Sequence, residues 1–173
     1  MKKIRRWVAV IMVCLLTLTG AEVAGMGIGF ASTDIMAYSA HTQSEAVAWA
    51  QSQLGKALDY DGQYGAQCVD LICYYYQYLG TTSPGGNNLP SGWIRVYGNY
   101  QPGDIAVWKP SYSHGSYSTS IYGHVGIVTS ADSVGFNAVG QNVGNNKYCT
   151  QNWFPLQVVE CAIRFYFISY NFL

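Results

Sequence analysis

Apolar residues of this chain recur at helical spacing before Gly80 and at strand spacing from Ile105 onward. That switch is the strongest constraint on its fold. Thr42-Gln-Ser-Glu45 has the form of a capping box, and the helix it opens carries Val47, Trp49, Ala50 and Leu54, with Gly55 as a stop signal. A turn-rich loop spans Asp59 to Gly65. A second helix follows, roughly Gln67 to Leu79, with Cys68, Ile72, Tyr75 and Leu79 on one stripe and Gly80 at its end. Residues 81–92 are loop, rich in Pro, Gly and Asn. Ile105–Trp108, Val125–Thr129, Val134–Gln141 and Val158–Phe167 are strand candidates, and a Ser/Tyr/Gly loop fills 109–122. Helices first and an antiparallel sheet afterwards make an α+β plan. The C-terminal run Phe165–Leu173 reads as a last strand, with a contact surface as the alternative.

The segment before the first helix does not belong to that plan. Lys2, Lys3, Arg5 and Arg6 precede an apolar run, Trp7–Leu18, and small residues follow. This is the pattern of a secretory signal peptide over residues 1–31, with cleavage between 31 and 40. An uncleaved N-terminal anchor is the rival reading, although the run is short for a membrane span. Residues 42–173 then form a single domain, secreted and free of a membrane span once the leader is removed. From Ser32 onward five Lys/Arg face eight Asp/Glu, so no nucleic-acid footprint appears. Charge is sparse and Tyr, Gly, Ser, Asn and Gln are plentiful, which suits uncharged polar ligands such as glycans and peptides. The expected state is a monomer. Four cysteines remain: Cys68, Cys73, Cys149 and Cys161. An exported chain permits disulfides, and Cys149 and Cys161 lie across an expected turn where they could pair. Cys73 reads as a buried thiol.

Cys68 at a helix start and His124 at a strand start supply the two halves of a thiol nucleophile site. Helix N–H groups and a neighbouring imidazole both lower a thiol pKa. The same N–H groups can hold an oxyanion. A cysteine on an apolar stripe is otherwise a small core residue, and a lone histidine a structural one. His114, in the 109–122 loop, is a competing base. His41, near the cleavage region, is expected to be mobile.

Gln67-Cys68-Val69-Asp70, Gln101-Pro-Gly-Asp-Ile-Ala-Val-Trp108, Gly123-His124-Val-Gly-Ile-Val128 and Gly140-Gln141-Asn142, in this order, resemble a CHAP domain. The name denotes cysteine- and histidine-dependent amidohydrolases and peptidases, and the resemblance covers about residues 44–166. It implies a papain-like α+β fold, cleavage of bacterial peptidoglycan, Cys68 as nucleophile and His124 as base, without an organic cofactor. It also implies wall association, and amidase or endopeptidase activity, which nothing in the residues separates. The third catalytic position departs from the family. Gly140 stands where a Glu is frequent, while Asn142 keeps the place of the Asn that orients the imidazole. Asn152 and Glu160 are fallback orienters. Gln67 resembles the family's residue beside the nucleophile, with an implied oxyanion role. A catalytically idle wall-binding module, and a secreted cysteine protease or transamidase acting on proteins, are the alternatives.

Asp59, Asp61, Gln63, Gly65 and Asp70 occupy positions one, three, five, seven and twelve of a twelve-residue window. That is the ligand spacing of an EF-hand loop, with Tyr64 at the position usually held by Gly and Asp70 in place of Glu. Some CHAP enzymes similarly carry calcium at matching acidic residues. The expectation is a structural Ca2+ tying down the loop that leads into Cys68. An acidic, solvated turn is the plainer reading.

Overall fold

The computed structural model describes residues 38–39, 41–81 and 93–167. The expected signal peptide and the residues after Phe167 lie outside them. The capping box forms: Thr42 N–H donates to Glu45 Oε2 at 2.7 Å, and Glu45 N–H to Thr42 Oγ1 at 3.3 Å. It opens α1, Gln43–Ser52, whose Ala46 and Ala50 are buried. Leu54 falls beyond the last helical turn and is exposed, so the expected stripe is two residues shorter than drawn. Helix α2, Cys68–Tyr78, buries Ile72 and Tyr75, with Leu79 just past its end.

The strands, in chain order, are β1 (Tyr38–Ser39), β2 (Ile94–Val96), β3 (Ile105–Trp108), β4 (Ser113–His114), β5 (Tyr117–Ser118), β6 (His124–Ala131), β7 (Gly135–Val143), β8 (Asn146–Pro155), β9 (Cys161–Arg164) and β10 (Tyr166–Phe167). Six form an antiparallel sheet ordered β2-β9-β3-β6-β7-β8. β4 and β5 form a hairpin inside the segment expected as loop, and β10 pairs with β1 in parallel. Strand alternation divides the core between two faces. Ile105, Ile127 and Val139 face the helices with Leu71, Ile72 and Tyr75. Their chain neighbours Ala106, Val128 and Ala138 face Tyr100, Trp108, Phe136 and Phe154. Both faces are covered, which explains why these strands are apolar runs rather than half-polar ones.

β8 was not visible as a strand. Its residues Asn-Lys-Tyr-Cys-Thr-Gln-Asn-Trp-Phe-Pro are mostly polar because it is the sheet edge, and only Cys149 and Phe154 along it are buried. Its presence also overturns the Cys149–Cys161 pairing. Three strands separate β8 from β9, so the two cysteines stand roughly 19 Å apart at about 4.8 Å per strand. A disulfide needs Cα atoms within about 7 Å.

One buried ion pair braces the sheet end. Arg164 Nε and Nη2 donate to Asp104 Oδ1 and Oδ2 at 2.9 and 2.7 Å, and Gln101 N–H donates to Asp104 Oδ2. Burial pushes the Asp104 carboxyl pKa up, and Arg164 opposes the shift. Arg164→Leu would leave that carboxylate buried without its partner, so unfolding free energy should drop by about 3–5 kcal/mol in denaturant titration.

Candidate active site

Cys68 is the first residue of α2. Gln67 before it is extended, with φ −112° and ψ 162°. Asp70, buried in the first turn, accepts the Gln67 N–H at 2.7 Å and so fixes where the helix begins. The Cys68 sulfur lies against β6, where Val125 N–H donates toward it, as do Val69 N–H and its own N–H. A helix start and neighbouring imidazole were expected to lower this thiol pKa. The structure has it raised: burial is the largest influence, the three N–H donors oppose it, and the Asp70 charge adds to the rise. Removing the thiolate from water outweighs what a few N–H dipoles return.

His124 immediately precedes Val125, so Cys68 and His124 both stand at the start of β6. Gly123 makes that entry possible. Its φ is +78°, and a Cβ would stand 2.5 Å from the Trp108 carbonyl oxygen. His124 pairs across the sheet with Trp108, and their ring centroids lie 5.3 Å apart. The imidazole Nε2 is buried without a hydrogen-bond partner. It sits over Gly140, where a Cβ would come within 2.9 Å of Nε2. The glycine at the position of the expected acid therefore provides room for the ring. Desolvation lowers the His124 pKa to about 4, so the imidazole is neutral at pH 7.

The next two residues of β7 both reach Gln67. Strand alternation would send them to opposite faces, but the β7–β8 register shifts between Gln141 and Val143. Asn142 is the extra residue, at φ +62°, a left-handed conformation that asparagine tolerates. Its Nδ2 donates to Gln67 Oε1 at 3.0 Å, while Gln141 Nε2 donates to the Gln67 carbonyl at 2.6 Å. Asn142 was expected to orient the imidazole. In this arrangement its amide braces Gln67 instead. Gln67 Nε2 donates to the Tyr64 carbonyl at 3.0 Å, so this side chain links the loop to β7. Losing one neutral hydrogen bond is worth about 1 kcal/mol. Asn142→Gly, which keeps the backbone conformation but removes the brace, should therefore lower kcat by roughly five- to tenfold, far less than loss of Cys68. Steady-state kinetics on purified walls checks this.

The remaining candidates lie elsewhere. His114 is exposed in the β4–β5 hairpin with its ring over Tyr112. His41 stacks on Tyr78 at 4.0 Å, at the far end of α2 from Cys68; expected to be mobile, it is packed against an aromatic ring instead. Asn152 Nδ2 donates to Thr150 Oγ1, and Glu160 is exposed just before β9. Neither fallback orienter is paired with His124. Sequence reasoning missed Gln141 as an individual residue. The signal was present: a glutamine closing an apolar strand run is unusual unless its amide is fully used.

The acidic loop gathers as its spacing implied. One carboxylate oxygen each of Asp59, Asp61 and Asp70 lie within 4.8 Å of one another. Asp59 Oδ1 accepts Gly62 N–H and Asp61 Oδ1 accepts Gln63 N–H, both at 2.8 Å, and Asp70 uses Oδ2 for Gln67. Each carboxylate keeps its other oxygen for a further partner. The Asp104–Arg164 ion pair lies elsewhere, and among the described residues no cationic side chain forms an ion pair with this triad. Gly65 is left-handed at φ +69°, with Lys147 Nζ 3.1 Å from where its Cβ would stand. Hard oxygen donors converging without a counter-charge fit a hard cation such as Ca2+.

Known proteins carry the same plan. The CHAP domain family model matches residues 57–142. Endolysin PlyTW of Staphylococcus phage Twort is 33% identical over 107 residues, which is 54% of this chain and 22% of that protein. The solved structure of the wild-type endolysin LysIME-EF1 superposes with a TM-score of 0.61 at 26% identity, covering 73% of this chain and 65% of that one. The crystal structure of Ly7917 superposes with a TM-score of 0.53 at 22% identity, covering 70% and 62%, a likeness of fold. This chain thus spans about a fifth of the length of that curated relative and under two thirds of those solved chains.

Proposed function

Residues 57–142 are a CHAP domain, and on that premise we propose that the protein is a peptidoglycan hydrolase that cuts an amide bond through Cys68 and His124. The observation that carries this reading is that both stand at the start of β6: Cys68 opens α2 with its sulfur against the Val125 N–H, one residue after His124. The endolysin relatives support bacterial wall as the substrate. The basic start and apolar run of residues 1–31 support delivery to the wall from outside the cell.

At rest both groups are uncharged, a thiol and a neutral imidazole. As sulfur attacks the amide carbonyl, His124 accepts the thiol proton, then passes it to the leaving amine. A thioester joins Cys68 to the acyl part. His124 next takes a proton from water, the resulting hydroxide attacks the thioester, and the thiol is regenerated. The Cys68 N–H and the second hydrogen of Gln67 Nε2 are the proposed donors to the oxyanion, and Asn142 holds Gln67 for that task. Mass spectrometry of purified wall after digestion tests the function and names the bond. A new amino terminus within the stem peptide marks an endopeptidase, and free lactyl-muramic ends mark an amidase. Intact wall together with cleaved protein substrates would overturn the reading in favour of a protease. One observation favours an idle wall-binding module: no carboxylate partners the imidazole at Gly140. Wall binding without fragments would support that second reading.

Asp59, Asp61 and Asp70, with Gln63 and the Gly65 carbonyl completing the set, are proposed to hold Ca2+, which when bound would tie down the loop leading to Cys68. Chelation should lower the melting temperature, and calcium should restore it. A ligand at a hundredfold excess over Kd adds about 2.7 kcal/mol to the folded state. Asp61→Ala should abolish the response. Magnesium should replace calcium poorly, since it sheds its waters reluctantly. A melting curve unmoved by chelator would leave the triad as a solvated turn.

A further inference from the structure

Gln141 has no exposed surface, yet it carries four hydrogen-bonding contacts. Its Nε2 donates to the carbonyls of Leu58 at 2.7 Å and Gln67 at 2.6 Å. Its Oε1 accepts the Leu58 N–H at 2.8 Å and the Cys149 thiol at 3.3 Å. Two donors and two lone pairs are the whole capacity of a primary amide, and all are used. Leu58 and Gln67 are the two ends of the acidic loop, and Gln67 is the residue on which α2 begins. The side chain thus closes the loop like a staple. It also ties the nucleophile's helix start to β7, the strand on which the His124 ring rests.

We propose that Gln141 is a positioning residue: it sets where Cys68 stands relative to His124 by fixing both ends of the loop between Leu58 and Gln67. The inference rests on Cys68 being the nucleophile. A buried amide that merely filled space would affect stability and leave the thiol's chemistry unchanged. Gln141 acts on reactivity as well, because its single amide joins Leu58 to Gln67, the residue on which the nucleophile's helix begins.

The test compares Gln141→Leu with Cys149→Ala, which removes one contact of the same amide but keeps the three main-chain bonds. Both are assayed below their melting temperatures for kcat and KM on purified wall. Alkylation of Cys68 by iodoacetamide is followed in parallel by peptide mass spectrometry. Gln141→Leu should lose at least tenfold in kcat with KM within about threefold, and its Cys68 alkylation rate should change severalfold. Cys149→Ala should stay within twofold in kcat and alkylation while losing melting temperature. Equal losses in the two variants, or unchanged Cys68 alkylation in folded Gln141→Leu, would overturn the proposal. Should Gln141→Leu not fold, hydrogen exchange of the wild type decides. The Leu58 amide should then exchange at least a hundredfold more slowly than those of Tyr60 and Tyr64, and equal rates would overturn it. Alkylation and exchange need no wall substrate, so failure here is distinguishable from failure of the hydrolase reading, which Cys68→Ala tests alone.

Discussion

Cys68→Ala should abolish wall hydrolysis and leave the melting temperature nearly unchanged. In the proposed mechanism the thiol supplies the bond-forming atom, and removing the nucleophile of such a site typically lowers kcat by about 10^4- to 10^6-fold. Stability should hold because Cys68 is only half-buried, while the helix start is fixed independently by Asp70 and Gln141. Cys68→Ser should be as inactive, since a serine hydroxyl ionises less readily than the thiol it replaces. The wild-type thiol carries a second expectation. A resting thiolate–imidazolium pair would alkylate at a rate already level at neutral pH. Here the thiol pKa is raised above its ordinary 9.0 by burial, and the imidazole is neutral. Alkylation of Cys68 should therefore keep rising through pH 9. A plateau from pH 5 upward would show that the pair is ionic at rest. Substantial hydrolysis by either variant would end the thiol mechanism.

His124→Leu should be comparably inactive, yet more stable than wild type in acid. The loss of activity follows from losing the group that receives the thiol proton. The gain follows from linkage. The folded pKa of about 4 lies below the ordinary 6.5, so between those values the unfolded chain binds the proton more tightly. Native stability is thus fully present above about pH 6.5 and declines as pH falls towards 4, by roughly 3 kcal/mol in total. A leucine has no proton to bind and removes that decline. It also removes a buried Nε2 that has no partner, which at neutral pH is worth about 1–3 kcal/mol. Melting curves from pH 4 to pH 7 separate the two variants. Parallel acid sensitivity in wild type and His124→Leu would mean that another group governs the acid limb. His114→Ala, remote from Cys68, should change neither activity nor this profile appreciably.

Much of the architecture was legible because it depends on short-range rules. Thr42 and Glu45 are close enough in sequence to declare a helix start, and Ile72, Tyr75 and Leu79 declare its buried face. β3, β6 and β7 were visible because a strand covered on both faces must be apolar. β8 escaped notice because an edge strand can be polar throughout, and with it went the geometry of Cys149. At the site, residue types were readable but hydrogen-bond partners were not. Nothing local says that Asn142 takes the left-handed conformation of a bulge, or that its amide turns to Gln67. The thiol's environment was misjudged for a similar reason. The helix dipole is a local property, whereas the desolvation that outweighs it comes from burial in the folded chain.

The amide of Gln141 grips only main-chain atoms of Leu58 and Gln67. It therefore places no demand of its own on the side chains between those anchors, provided the path length is kept. Within residues 59–66 that freedom falls to positions outside the proposed cation's ligands, such as the exposed Tyr60 and Tyr64. Loops of equal length that keep Asp59, Asp61, Gln63 and Gly65 could be spliced there without disturbing Cys68. For the proposed hydrolase, such swaps would be a route to shifting preference among wall chemotypes while Cys68 and His124 stay fixed.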